Sequence, residues 1–257
     1  MIVLKSPREI ALMWTAGQVL AGVVERLKTL VKPGLSTLEI DVEVEAFLRA
    51  NGAKPAFKGY RGFPASICTS INEEVVHGIP SASRQLKEGD IIGLDLGCIV
   101  DGYYADCAVT LAIGEIPPKV QELLDVTRES LERAITESRP GRRLGDVSHA
   151  VQSHVEAHGF SVVRAFVGHG IGRELHEEPQ VPNFGEPGHG PVLKPGMVLA
   201  IEPMVTMGGW EVRVLEDRWT AVTGDGSLAA HFEHTVAITE DGPAVLTRLD
   251  NGLARAG

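Results

Sequence analysis

Apolar residues near the start of the chain, Ile10, Met13, Leu20, Val24, Leu27 and Val31, recur with the spacing of one helical face. Ser6-Pro7-Arg8-Glu9 precedes them as a capping box with proline at the first helical position, and Pro33-Gly34 ends the run. A second helix is predicted from Ser36-Thr37-Leu38-Glu39, another capping box, to Asn51-Gly52. A glycine- and aromatic-rich loop follows from Phe57 to Pro64, then strand-like residues Ser66 to Ile71 and a turn at His77-Gly78-Ile79-Pro80. From Ile91 to Ile113 the pattern becomes two apolar strands joined by Asp101-Gly102, the signal of a two-residue hairpin turn. Beyond Pro117-Pro118 a helix runs to about Ser138 and stops at Pro140-Gly141; the next, capped near Asp146, ends at His158-Gly159.

The second series repeats the first. At one constant offset, Pro33-Gly34 answers to Pro140-Gly141, Gly52 to Gly159, Lys87-x-Gly89 to Lys194-x-Gly196, and Asp95 to Glu202. The second half then gains a surplus stretch, after which Asp106-Cys107-Ala108-Val109 aligns with Glu233-His234-Thr235-Val236. The order helix, helix, strand hairpin therefore occurs twice, with acids at the same two places. Such a duplication predicts a mixed α/β (α+β) fold with a pseudo-twofold axis, each half giving sheet with its helices on one side. Since both halves must meet to build one core, residues 1–257 are expected to form one catalytic domain with halves of about 1–115 and 116–250. The Gly/Pro-rich stretch from Pro179 to Gly190 reads as a working loop.

If the hairpin turn has two residues, Val100 pairs with Tyr103, Gly97 lies opposite Asp106, and Asp95 shares their face. Two carboxylates among core-type residues need a counter-charge, unless one or both face solvent from an edge. With Glu202 and Glu233 brought in by the repeat, Asp95 and Asp106 complete a group of about −4 charge, which two divalent cations neutralise. His169, inside Gly168-His169-Gly170-Ile171-Gly172, is the imidazole candidate. Carboxylates with one imidazole and no thiolate suit manganese, iron(II), cobalt or zinc. A carboxylate-bridged metal pair is machinery for amide hydrolysis.

Composition bears on partners and setting. A net charge of −10 favours a soluble protein and argues against nucleic acid as the main partner. Cys68, Cys98 and Cys107 have no CxxC spacing, so neither a disulfide framework nor a zinc knuckle is expected, and a reducing, cytoplasmic setting fits. The run from Ile10 to Val24 after Lys5 and Arg8 has the outline of a signal peptide, but its capping box and helical period mark an amphipathic helix of a mature protein. No stretch of about 20 unbroken apolar residues occurs, so no membrane span is expected. His149, His154 and His158 share one predicted helix; the 154/158 pair has zinc-binding spacing but no third ligand, and solvated helix surface is the expectation.

Asp95, Asp106 further along the same hairpin, His169 in its glycine setting, His176-Glu177-Glu178-Pro179, Glu202-Pro203 and Glu233-His234-Thr235 together resemble the type I methionine aminopeptidase family of bacteria, from the first helix through Glu240. The resemblance implies the pita-bread fold, a curved antiparallel central sheet with outer helices. It implies that Asp95 chelates one metal, that His169 and Glu202 hold the other, and that Asp106 and Glu233 bridge both. The implied reaction removes the N-terminal methionine of nascent polypeptides when the second residue is small. A hydroxide held between two divalent ions attacks the first peptide carbonyl, Glu202 shuttles a proton to the leaving amine, and His77 and His176 contact the scissile amide. On sequence alone His77 is equally a turn residue.

Side-chain specificity is implied for the loop with Tyr60 and Phe63, for Cys68 and for Trp219, with ordinary packing as the alternative for the last two. Leu175 stands where the family commonly has Phe, and Phe63 where Tyr is common. A monovalent-cation site of relatives would use Asn72, but its neighbours Glu74 and Ala229 differ from the family. The implied partners are nascent N-termini, with transient ribosome association, no nucleic-acid specificity, no membrane and a monomeric state. Two rivals stand beside this reading. An X-Pro aminopeptidase or prolidase carries an additional N-terminal domain, whereas the first core strand is expected here as early as Ser66; a catalytically dead peptide-binding module has usually lost ligands.

Overall fold

Ser6 and Glu9 close the first capping box, the Glu9 carboxylate accepting from the Ser6 amide at 2.9 Å and Ser6 Oγ accepting from the Glu9 amide at 3.4 Å. In this computed structural model, which describes residues 1–249, helix α1 accordingly spans Pro7–Leu30. Asp250, the last residue assigned above to the second half, lies outside the described residues. Ser36 and Glu39 cap α2, Thr37–Ala50, in the same way, and α3 spans Pro118–Glu137. Helix α4, Leu144–Ala157, starts ahead of the expected cap: Asp146 lies inside its first turn and reaches back to accept from the Arg143 amide at 2.8 Å.

The hairpin register follows from the turn. Val100 pairs with Tyr103 and Gly97 with Asp106 between the strands Ile91–Val100 and Tyr103–Ala112. Asp101 and Gly102 both have positive φ, +49° and +79°, as a two-residue turn matched to strand twist requires. These strands lie in a nine-stranded antiparallel sheet, in the path Lys54–Pro55, Ile91–Val100, Tyr103–Ala112, Glu233–Thr239, Val198–Ile201, Gly168–Gly170, Glu177–Val181. Cys68–Ile71 adds to Ile91–Val100 and Gly242–Val245 to Glu233–Thr239. The halves meet where Ala108 pairs with Glu233 and Cys107 with His234.

The repeat is visible in the backbone. Gly34 and Gly141 take φ of +88° and +85°, and the isolated bridge Ser36↔Gln85 recurs at the same offset as Arg143↔Val192. Each half packs its two helices on its own sheet strands. Leu20 and Leu27 of α1 and Ile40 and Leu48 of α2 share a core with Leu94 and Leu96; Leu123 and Leu131 of α3 and Val147 and Val151 of α4 share one with Leu199 and Val236. By length and composition α1 is apolar enough to cross a membrane, but its apolar face, Met13, Ala16, Leu20 and Leu27, is buried within the fold.

The second hairpin departs from its sequence pattern. Val198–Ile201 and Glu233–Thr239 do pair, but the chain leaves the sheet between them, after Glu202-Pro203. Proline has no amide to give the ladder. The surplus residues build a small sheet in which Val212–Val214 and Ala221–Thr223 join Glu74–Val76 of the first half, and this carries Trp219. The stretch from Pro179 to Gly190 is likewise not a free loop. It begins inside a strand and is then tied to α4, with the Gly188 amide donating to Asp146 Oδ1 at 2.7 Å and the Gly185 amide to Gln152 Oε1 at 3.1 Å.

Candidate metal centre

The concave face of the sheet gathers every candidate residue around one cavity of about 170 Å³: Asp95, Asp106, His169, Glu202 and Glu233 with His77, His176, Tyr60, Phe63, Cys68, Leu175 and Trp219. Phe57 and Arg61 complete the wall. Asp95 and Asp106 enter from the first hairpin, and Glu202 and Glu233 from the strands on the other side of the junction. Ligand-type atoms of Asp106, His169 and Glu233 lie within 4.8 Å of one another, and His169 Nε2 is 3.6 Å from Glu202 Oε1. Neither hairpin acid faces open solvent from an edge: Asp106 is 4% exposed, and Asp95, half-buried, lines the cavity.

The position of His169 is set by backbone. Its Nδ1 lies 2.9 Å from the Gly170 carbonyl, which only accepts, so Nδ1 carries the hydrogen and Nε2 presents a lone pair. A Cβ on Gly168 would stand 2.3 Å from Ala200 O, and one on Gly170 2.2 Å from Glu178 O. The flanking glycines thus let this short strand press between its neighbours. They clamp the imidazole rather than loosen it. At the other wall His77 has φ +62°, and a Cβ on Gly78 behind it would meet Thr69 O at 2.1 Å. His77 is a turn residue that also lines the cavity, the turn pointing its ring at Phe166 and Trp219, with centroids at 5.4 and 6.3 Å.

Electrostatics shows that the centre fits divalent metal. Burial, reinforced by the neighbouring acids, raises the carboxyls of Asp106, Glu202 and Glu233 well above the ordinary range, and burial also raises Asp95. Asp106 Oδ1 and Glu233 Oε1 are buried with no hydrogen-bond partner. Orphaned buried carboxylate oxygens are costly, and a cation satisfies them. Burial lowers His169 to about 3 and His77 to about 4, so both rings are neutral at pH 7. The donor set, four carboxylates and a neutral imidazole, suits borderline to hard divalent ions. Burial and the adjacent acids push the Cys68 thiol well above its ordinary value.

Three contributions escaped the sequence reading. Cys68 faces Asp95 across the Cys68–Ile71 pairing and hydrogen-bonds its carboxylate. His231 is 3% exposed, with Nε2 3.8 Å from Glu202 Oε2 and no hydrogen-bond partner; its place two residues before Glu233 was the available signal, since alternate strand residues share a face. Asn183 Nδ2 donates to the Glu202 carbonyl at 3.0 Å. Asn72, considered for a monovalent cation, spends its side chain on Asp90 and the Ile91 amide, while Glu74 pairs with Arg84. His154 corrects the expectation of a solvated helix surface: His149 and His158 are exposed, but His154 is buried because its side of α4 packs toward α3.

The metal-free protein should show the consequence in its pH dependence. Raised carboxyls mean that the folded chain binds more protons than the unfolded one above about pH 4, so stability falls as pH rises through the raised values. The depressed histidines His77, His169 and His231 act oppositely, their contribution being present above about pH 6.5 and lost as pH falls. The trends oppose each other between those limits, and above them only the carboxyl trend remains. Melts in chelator are expected to decline above about pH 6.5, with no such decline in metal-loaded protein. A flat alkaline limb without metal would contradict the mutual destabilisation of the four acids.

Residues 11–240 match metallopeptidase family M24. Methionine aminopeptidase 1 of Bacillus subtilis is 54% identical, over 97% of this chain and 100% of its own length. The crystal structure of methionine aminopeptidase from Thermotoga maritima superposes with a TM-score of 0.96 at 51% identity, covering 97% of this chain and 100% of that one. Prolidase from Pyrococcus furiosus superposes with a TM-score of 0.76 at 25% identity, covering 97% of this chain but 66% of the prolidase.

Proposed function

This chain belongs to metallopeptidase family M24 and has its pita-bread fold, and from that premise we propose how its cavity removes the N-terminal methionine of polypeptides whose second residue is small. The enzyme is a metal-dependent methionyl aminopeptidase. The observation that carries the reading is the convergence of four carboxylates, Asp106 and Glu233 buried and Asp95 and Glu202 half-buried, with His169 around one cavity whose other walls are largely apolar. Asp95, Asp106, His169, Glu202 and Glu233 would hold two divalent ions, drawn from cobalt, manganese, iron(II) or zinc. Bound there, such ions supply Lewis-acid polarisation of the first peptide carbonyl and an ionised water at neutral pH.

The chain's own groups do the rest. Glu202, on the cavity wall with Oε1 3.6 Å from His169 Nε2, would pass a proton to the leaving amine. Tyr60 Oη lies 2.7 Å from His176 Nδ1. With the phenol donating to Nδ1, the His176 Nε2–H is free to donate to the oxygen that gains charge. Burial, with Arg61 nearby, keeps His176 below its ordinary value, and burial lowers His77 to about 4. Both act as neutral donors, each worth on the order of 3 kcal/mol when aimed at the developing oxyanion. Phe63 and Trp219, edge to face at 5.1 Å, with Cys68, Leu175 and Tyr60, form a sleeve for the thioether. We place the enzyme in the cytoplasm, as a monomer that meets nascent chains in transient contact with the ribosome.

Dialysis against chelator tests the metal requirement. Hydrolysis of a Met-Ala peptide should fall to background and return on adding manganese or cobalt, with the circular dichroism spectrum unchanged. Undiminished turnover in protein shown to be metal-free would refute the mechanism.

A further inference from the structure

His176 sits at the end of a loop, between the strands Gly168–Gly170 and Glu177–Val181. Glu177 turns its carboxylate back on that loop, Oε1 accepting from the amides of Arg173 and Glu174 at 2.9 and 3.3 Å. Its Oε2 lies 2.5 Å from Lys5 Nζ, with the lysine side chain 4% exposed and the glutamate side chain 12%. Lys5, just ahead of α1, is itself pinned: Nζ also donates to the Val3 carbonyl at 3.1 Å, and its amide donates to the Gly196 carbonyl at 2.7 Å. A Cβ on Gly172 would stand 2.4 Å from Lys5 Cε and 2.7 Å from Glu177 Oε1, so the ion pair lies against the loop backbone. A second tie runs from Arg173 through Tyr103 Oη, at 2.5 Å, to Glu9 of α1, at 2.8 Å, but the Arg173 side chain is 68% exposed. The buried pair is the firmer of the two.

We propose that Lys5 is a positioning residue for the peptidase reaction: through Glu177 it fixes the loop that aims His176 at the scissile amide. The inference rests on the reading of His176 as a donor to the developing oxyanion. Lys5 stands outside the cavity wall and acts only through its partner. Without the ammonium, the Glu177 carboxylate is a buried charge held by two amides, and a buried charge left uncompensated turns toward water. That turn releases the amides of Arg173 and Glu174 and, one residue along the chain, draws His176 off its 2.7 Å contact with Tyr60 Oη. A catalytic group misplaced by about 1 Å loses on the order of 10²-fold in rate. Leu175 is 2% exposed and fixed by apolar packing of its own, so the effect falls on His176 rather than on the sleeve.

Steady-state kinetics of the manganese-loaded enzyme on a Met-Ala peptide, for Lys5→Met, His176→Ala and the two combined, test the role. Lys5→Met should lower kcat by about 10–100-fold, with KM changed by less than about threefold and metal content unchanged. His176→Ala alone should lower kcat by about 10²–10³-fold. Adding Lys5→Met to it should lower kcat by no more than about twofold further, since a residue that acts through His176 then has nothing left to aim. Glu177→Gln keeps an acceptor for the loop amides but removes the ion pair, and should reproduce the loss in kcat. The double variant Lys5→Met, Glu177→Gln leaves no unpaired buried charge, so it provides a folded protein with the same loss even where Lys5→Met alone is unstable. Wild-type kcat in that double variant, or an equal fractional loss with and without His176, would overturn the positioning role and leave the donor role of His176 standing. Wild-type kcat in His176→Ala would refute the donor role, and the positioning role with it.

Discussion

Asp106→Asn is expected to abolish peptide hydrolysis while leaving the protein folded, and in the absence of metal to raise its melting temperature. The backbone of Asp106 is fastened independently of its carboxylate: Thr235 Oγ1 accepts from the Asp106 amide at 2.9 Å and donates to the Asp106 carbonyl at 2.8 Å, joining the two halves of the sheet. The carboxylate itself adds a buried acid to three others, and its Oδ1 is unpartnered. An amide of the same shape removes that repulsion and removes a metal ligand. Lewis-acid stabilisation of several kcal/mol corresponds to a loss on the order of 10³-fold in kcat/KM. Each kcal/mol of relieved repulsion moves the melting temperature of a chain of this size by about 2–4 °C. Steady-state kinetics, metal analysis and melts in chelator would be run together. Wild-type kcat/KM in the variant, or a lower metal-free melting temperature, would count against the centre as assigned.

Features fixed by local chemistry are the ones legible in the sequence. Both capping boxes mark helix starts, and Asp101-Gly102 sets a register that places Gly97 opposite Asp106. The duplication by itself assigns Glu202 and Glu233 to the same cavity as Asp95 and Asp106. Features that depend on contacts between elements are not legible. Cys68 meets Asp95 only because Cys68–Ile71 joins that edge of Ile91–Val100, which no spacing encodes. His154 is buried because α3 covers its side of α4, a matter of helix packing rather than period. The break in the second hairpin has a signal in Pro203, which the repeat masks when the surplus is taken as an insertion into an intact pattern.

Given peptides beginning Met-Ala, Met-Leu, Leu-Ala and Ala-Pro together, the enzyme should release an N-terminal residue efficiently only from the first. The sleeve is closed on the sides that decide this. Phe63, Cys68 and Leu175 are each buried to within a few per cent, and Trp219 packs its ring against Phe63. An unbranched thioether threads between these walls, whereas the branch of leucine requires one of them to move. A misplaced methylene is worth about 1–3 kcal/mol, so Leu-Ala should be slower by roughly 10–200-fold and norleucine should react slowly but measurably. Past the first peptide bond we expect His77, held between Phe166 and Trp219, to bound the space, so that Ala, Gly, Ser or Pro should be accepted there and Leu should not. The fold shared with a prolidase makes Ala-Pro the informative competitor. Mass spectrometry of the mixed digest reads all four at once. If Ala-Pro were cut and Met-Ala spared, the sleeve assigned to Tyr60, Phe63, Cys68, Leu175 and Trp219 would not be the side-chain pocket, and X-Pro cleavage would replace methionine removal as the activity of this site.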